Sequence, residues 1–153
     1  MKIYYCLLLM FITVTLGCGS NSYNKSFDPT PAYGYLVFNA MPVGGATVFF
    51  EPLDPSQKRK FASFTGPDGR FSPSSFTKGD GALPGTYKLV IFPCQELDNL
   101  ESFFESRDAA RNASELAEKN IPKLFRQADT TPLRVTIEDG KPDLGTFDLS
   151  KQY

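Results

Sequence analysis

The feature that most constrains the fold of this chain is a two-residue alternation of apolar and polar side chains. It is clearest in LRVTIE, residues 133–138, and it recurs in TFDLS, residues 146–150. Such a period predicts a strand with one face in a core and the other in water. YLVFNA (35–40), ATVFFE (46–51) and TYKLVIF (86–92) are apolar on both faces, which is typical of strands inside two packed sheets. The sequence therefore predicts an all-β sandwich.

Turn residues between these segments support this interpretation. GPDGR, residues 66–70, offers Pro and Asp-Gly and predicts a hairpin between FASFT and RFS. LPGTY, residues 83–87, places Pro84 and Gly85 at the centre of a predicted type II turn. MPVGGA, residues 41–46, is expected to turn the first strand into the second.

One segment, residues 98–120, departs from the strand pattern. Asp98 and Glu101 have the spacing of a capping box, and Leu100, Phe104 and Leu116 form an apolar stripe with alanines between them. We expect one or two helices here. Such a stripe usually packs against a sheet face or edge.

The N-terminus has the length and composition of a signal peptide. Lys2 is followed by fourteen residues, 3–16, that contain no charge, Gly or Pro. A membrane-spanning helix needs about 20 apolar residues, and a polar stretch follows this run directly. We therefore expect residues 1–17 to be cleaved.

The sequence at the end of this run, Thr15-Leu16-Gly17-Cys18, resembles the lipobox of bacterial lipoproteins. The resemblance implies cleavage between Gly17 and Cys18 and a diacylglycerol on the Cys18 thiol, which anchors the chain to a membrane. Thr15 stands where the lipobox usually has Leu, and the alternative is an ordinary secretory signal with an incidental cysteine. Gly19 after the cysteine resembles lipoproteins sorted to the outer membrane, which implies its periplasmic face in a bacterial cell envelope.

Beyond the anchor, the chain divides into a tether, residues 18–32, and one domain, residues 33–153. The tether is rich in Ser, Asn, Gly and Pro. Processing would leave Cys94 as the single free thiol, so the domain is predicted to lack an internal disulfide. A small buried apolar side chain is the favoured interpretation of Cys94, and a reactive thiol is the alternative.

Several longer stretches together resemble a known family. These are VFNAMPVGGATVFFEP, TGPDGRFS, GALPGTYKLVI and IPKLFRQADTTPLRVTIEDGK followed by FDL. They are similar to the transthyretin-like, carboxypeptidase-regulatory-type lipoproteins of planctomycete bacteria, and the similarity spans most of residues 34–149. It implies a prealbumin-like Greek-key sandwich of about seven strands. Met41 and Phe125 depart from the residues usual in that family.

Composition argues against catalysis and against nucleic-acid binding. The chain has no His, which is the commonest general base and zinc ligand. We therefore predict a non-enzymatic protein without a cofactor or metal. A formal net charge of -1 provides no field that would attract nucleic acid.

Two non-enzymatic functions remain open. One is a lipid-anchored envelope module that docks other envelope proteins or has a structural role. The other is a carbohydrate-binding module of the cell envelope, which would use aromatic rings as a platform for sugars. Tyr33, Tyr35 and Phe76 are the candidate platform residues, although Trp is absent from the chain.

Overall fold

The computed structural model describes residues 28–151, which form two β-sheets and one α-helix. The elements are β1 (Tyr33–Phe38), β2 (Met41–Pro42), β3 (Ala46–Pro52), β4 (Phe61–Phe64), β5 (Arg70–Phe71), β6 (Gly85–Pro93), α1 (Arg107–Asn120), β7 (Arg134–Ile137) and β8 (Asp143–Asp148). Short 3-10 helices span Leu97–Asn99 and Lys123–Arg126. The predicted β-sandwich is confirmed. Within residues 28–151 no helix is long and apolar enough to cross a membrane.

The first sheet is antiparallel throughout, in the order β4-β3-β6-β7. Its centre is the β3–β6 pair, whose register runs unbroken from Ala46 opposite Pro93 to Pro52 opposite Tyr87. These two strands are two of the three segments that are apolar on both faces. Their β-branched and aromatic side chains suit a pleated sheet surface, although Phe49 and Phe92 remain 37% exposed on the face away from the core.

The second sheet is built around β1. β2 and β5 pair antiparallel with different parts of β1, and β8 pairs with it in parallel. The β8 pairing shifts register around Gly145, which has φ 87°. A parallel neighbour requires a crossover, so the C-terminal strand joins the strand that opens the domain.

The connection from the second sheet to the first differs from the one expected at MPVGGA. The turn lies earlier, at Asn39 and Ala40, which have φ 52° and 62° and join β1 to β2. Positive φ at both central residues is the signature of a type I′ hairpin turn. The chain crosses to β3 through Gly45, where a Cβ would lie 2.6 Å from the Ala113 backbone.

Two predicted turns are wrong in their details. The GPDGR turn forms, since the Gly69 N–H donates to the Gly66 carbonyl, but β4 pairs with β3 while β5 pairs with β1. It therefore links the two sheets, and the predicted hairpin is reduced to a single antiparallel bridge between Ala62 of β4 and Ser74 after β5. At LPGTY, Gly85 has φ 152° and already pairs with Ile137 in β6. A type II turn needs φ of about +80° at this position.

The core lies between the two sheets. Its largest fully buried side chains include Tyr87, Phe50, Phe71 and Leu36. The Tyr87 hydroxyl donates to the Leu83 carbonyl, so this buried polar group is satisfied. β7 alternates exposed and buried residues, as LRVTIE predicted.

The helix occupies only the second half of the predicted 98–120 insertion. Ser106 caps α1, because its side chain accepts the Ala109 N–H, and Asp98 lies in a separate 3-10 helix. The predicted capping box is therefore wrong. Leu116 is 53% exposed and does not belong to the buried stripe. Leu100 is buried beside Cys94, in a small second cluster outside the main core.

Candidate binding site

A cleft of about 1020 Å³ lies where the edge strands β4 and β5 of the two sheets approach one another. The GPDGR turn forms one end of it. Residues of the loop 73–81 and of the segment 99–103 complete its walls. Its volume is at the upper end of the range for small-molecule sites. We refer to this space as the cleft.

Asp80 fixes the conformation of the loop 73–81. Its carboxylate accepts the backbone N–H groups of Ser75, Phe76 and Thr77 at 2.7, 2.9 and 2.9 Å. Partial burial opposes ionisation, but these donors together outweigh it and lower the pKa of Asp80 below its usual 3.8. The loop is thus held by an ionised side chain.

Lys78 joins this loop to the segment 99–103. Its ammonium donates to the Ser102 hydroxyl at 2.8 Å and lies 3.7 Å from the centre of the Phe103 ring. The second contact is a cation–π interaction. Asn99, on the same segment, donates from Nδ2 to the Glu96 carboxylate at 2.8 Å.

The strand side of the cleft carries serine hydroxyls beside the aromatic ring of Phe64. The Ser63 hydroxyl accepts the Ser72 N–H at 2.7 Å, and the Ser74 hydroxyl accepts the Gly79 N–H at 2.9 Å. These hydrogen bonds connect β4, the residues after β5 and the loop 73–81. The cleft therefore combines short, fixed polar side chains with apolar surface.

A second surface lies on the outer face of the first sheet. Phe49 of β3 and Phe92 of β6 are each 37% exposed, and their rings contact edge to face with centroids 5.9 Å apart. We call these residues the outer-face pair. Val90, which is paired with Phe49 in the sheet, is only 4% exposed. Aromatic side chains on a sheet face outside the core are typical of docking surfaces.

The three predicted platform residues are only partly brought together. Tyr33 and Tyr35 are both half-buried on β1, but their rings meet at 83° and do not form a flat platform. The Arg70 guanidinium covers the Tyr33 ring at 4.8 Å. Phe76 is 53% exposed on the loop 73–81, with the Arg59 guanidinium 5.4 Å from its centroid.

The remaining predicted features are the signal cleavage and lipidation site, Cys94 and the expected absence of a metal. Gly17 and Cys18 lie outside the described residues. Cys94 is 2% exposed, and its thiol donates to the Glu96 carbonyl at 3.4 Å. In the part of the chain that the structure describes, no group of three or more His, Cys, Asp or Glu side chains is placed so that it could hold a metal ion.

No local sequence pattern marks the cleft. Ser102 and Phe103 belong to a segment whose pattern predicts a helix, and the pattern around Phe64 predicts only a strand. The pairing of Lys78 with Ser102 joins residues far apart in the chain, and no local pattern signals it. Comparison with protein-family models, curated proteins and solved structures found no match to this chain.

Proposed function

We propose that the protein is a non-catalytic, lipid-anchored module of the bacterial cell envelope that docks other envelope proteins. The lipobox-like sequence ending at Cys18 supports an anchor at the periplasmic face of the outer membrane. The absence of His from the sequence supports a role without catalysis. No cofactor enters this proposal, and the membrane is contacted through the N-terminal lipid.

The proposed fold is the prealbumin-like Greek key of transthyretin-like lipoproteins. Two observations support it. β6 pairs with β3 although β4 and β5 lie between them in the chain, and β5 pairs with β1 in the second sheet. Such returns between packed sheets are typical of Greek-key sandwiches.

The observation that carries the docking proposal is the outer-face pair. Phe49 and Phe92 both retain exposed ring surface on the sheet face that points away from the core. Burying aromatic surface under a partner is favourable, by about 25 cal/mol per Å² of apolar area. A polar partner surface would gain little from this contact, so we expect an apolar patch on the partner.

Site-specific photo-crosslinking in cells tests this function. A photoreactive side chain replaces Phe92 in the full-length protein, and the matched control replaces Thr136, whose side chain also lies on the exposed face of its strand. We expect a discrete protein adduct from position 92 that position 136 does not give. No adduct, or the same adducts from both positions, would contradict docking at the outer-face pair.

The anchor is tested separately with Cys18→Ala. We expect this change to abolish fatty-acid labelling and to release the protein from the membrane fraction, because burial of acyl chains supplies the membrane affinity. Cys94→Ala is the matched control and should leave labelling unchanged. Retained label on the Cys18→Ala protein would exclude this cysteine as the acylation site.

Carbohydrate binding is the second candidate function, and the cleft is the observation that favours it. Hydroxyl and amide side chains stand there beside the aromatic rings of Phe64 and Phe103. Sugars present both hydroxyl groups and apolar C–H faces, so they match both parts of this lining.

A further inference from the structure

We propose that the cleft is a binding site for a neutral oligosaccharide, which contacts Phe103, Asn99 and Ser102. This inference rests on the second candidate function and names its site and ligand class. The sugar-binding surface then lies at the edge between the two sheets and not at the predicted platform residues Tyr33, Tyr35 and Phe76.

The polar groups of the cleft are held in place and still have hydrogen-bonding capacity. Ser102 accepts from Lys78, and Ser74 accepts from Gly79. A serine hydroxyl has one donor and two acceptor positions, so each can also donate to a ligand. Asn99 uses Nδ2 to hold Glu96, and its Oδ1 accepts no hydrogen bond from the described residues. Pre-positioned groups lower the entropy cost of binding.

The apolar part of the lining is aromatic. Phe103 is half-buried, and Lys78 covers it on one side. Phe64 of β4, also half-buried, contributes to the lining and packs against the cluster of Cys94, Leu100 and Ala110. A ligand that covers the remaining exposed ring surface would gain from the contact, as the C–H face of a sugar ring does.

Other ligand classes fit this lining less well. The charged residues in it are Arg70, Lys78 and Asp68, two cations and one anion. Asp68 accepts the Arg70 backbone N–H at 3.0 Å within its own turn. Phosphate sites use converging backbone N–H groups or arginine forks. Here the Arg70 guanidinium lies over the Tyr33 ring, and the converging N–H groups of Ser75, Phe76 and Thr77 already donate to Asp80. A purely apolar ligand would leave the hydroxyls without partners, which costs free energy.

A glycan array of neutral and acidic oligosaccharides, probed with the full-length protein in detergent, tests this inference. We expect neutral probes to bind, and calorimetric titration then gives their affinity. Phe103→Ala should weaken binding at least ~10-fold, and Asn99→Ala and Ser102→Ala should each weaken it ~3- to 10-fold. Leu124→Ala removes a 48% exposed apolar side chain of the 3-10 helix Lys123–Arg126, outside the lining; it is the matched control and should leave the affinity unchanged.

Three results would overturn the proposal. They are no binding to any probe, binding to acidic probes alone, and binding that Tyr33→Ala abolishes while Phe103→Ala preserves it. Thermal unfolding of each variant checks that the sandwich is intact. If Phe103→Ala does not fold, Ser102→Ala still tests the proposal, because Ser102 is exposed and its truncation should not disturb the core. If glycan binding fails while the cross-link from position 92 is still observed, the proposal of protein docking would still hold.

Discussion

The two faces of the first sheet differ sharply, and two consecutive residues show it. Phe50 is fully buried against Phe71 and Tyr87, with ring centroids 6.0 Å apart in both cases. Phe49, the preceding residue, is 37% exposed and contacts Phe92 on the other face. The same residue type is therefore part of the core on one face and partly exposed on the other. Side chains alternate between the two faces along a strand, so consecutive residues lie on opposite sides of the sheet.

The largest effect should come from truncating the inner face. We expect Phe50→Ala to lower the free energy of unfolding by about 3–5 kcal/mol, because it removes buried apolar area and leaves a cavity. The matched change Phe49→Ala should cost only about 1 kcal/mol, since that ring is already partly in water and encloses no cavity. Urea unfolding of both variants measures the difference. Equal losses would remove the distinction between the two faces.

A smaller effect is expected from the one hydroxyl among the largest inner-face side chains. Tyr87 donates to the Leu83 carbonyl at 2.7 Å and accepts from Gln57 Nε2 at 2.5 Å. Burial also raises the pKa of the phenol above its usual 10. Tyr87→Phe leaves both partners without this group and should cost about 1.5 kcal/mol in urea unfolding.

The reference for this comparison is Gln57→Ala, which removes only one of the two hydrogen bonds. We expect its loss to be smaller than that of Tyr87→Phe. A larger loss would mean that the amide has a separate structural role.

The sequence predicted those features of the fold that depend on interactions between residues close together in the chain. β3, β6 and β7 follow from local patterns, because alternation and β-branched or aromatic residues act within a strand. The sheet that each strand joins does not follow from local patterns. The GPDGR turn is encoded locally, yet Phe71 is buried in the second sheet beside Gly34, far away in the chain.

The helix start and the cleft show the same limit. Asp98 and Ser106 are both residues that favour N-caps, so the sequence alone does not choose between them. Burial of Leu100 beside Cys94 holds the first part of the segment against the sheet. This packing also brings Ser102 to Lys78. The candidate site is made of such long-range contacts, and for this reason single-sequence patterns missed it.

Outside the core, Asp80 should contribute less than Tyr87. Asp80→Asn keeps one acceptor oxygen and replaces the other by an NH2 group, so at least one of the three backbone N–H groups loses its acceptor, which should cost about 1 kcal/mol near pH 7. The pKa of Asp80 is lowered in the folded state. Its stabilisation is therefore complete above the unfolded pKa of about 3.8 and is lost as the pH falls through the lower folded value.

Urea unfolding at pH 7 and again at a pH well below 3.8 checks this sign. We expect the difference between the wild-type protein and Asp80→Asn to shrink at the lower pH. A difference that stays constant would show that the charge of Asp80 does not stabilise the loop.

The smallest effect should be a gain, at the hairpin tip between β1 and β2. Ala40 has φ 62°, a conformation that costs a residue with a Cβ about 1–2 kcal/mol. Glycine adopts it freely but loses more chain entropy on folding, by roughly 0.5–1 kcal/mol. Ala40→Gly should therefore raise the free energy of unfolding by about 0.5 kcal/mol. Ala32→Gly, in a buried position at ordinary φ, is the control and should destabilise. Because Ala40 lies at an exposed tip, Ala40→Gly should leave both the cross-link from position 92 and the glycan affinity unchanged. The change would then raise stability without altering either kind of binding.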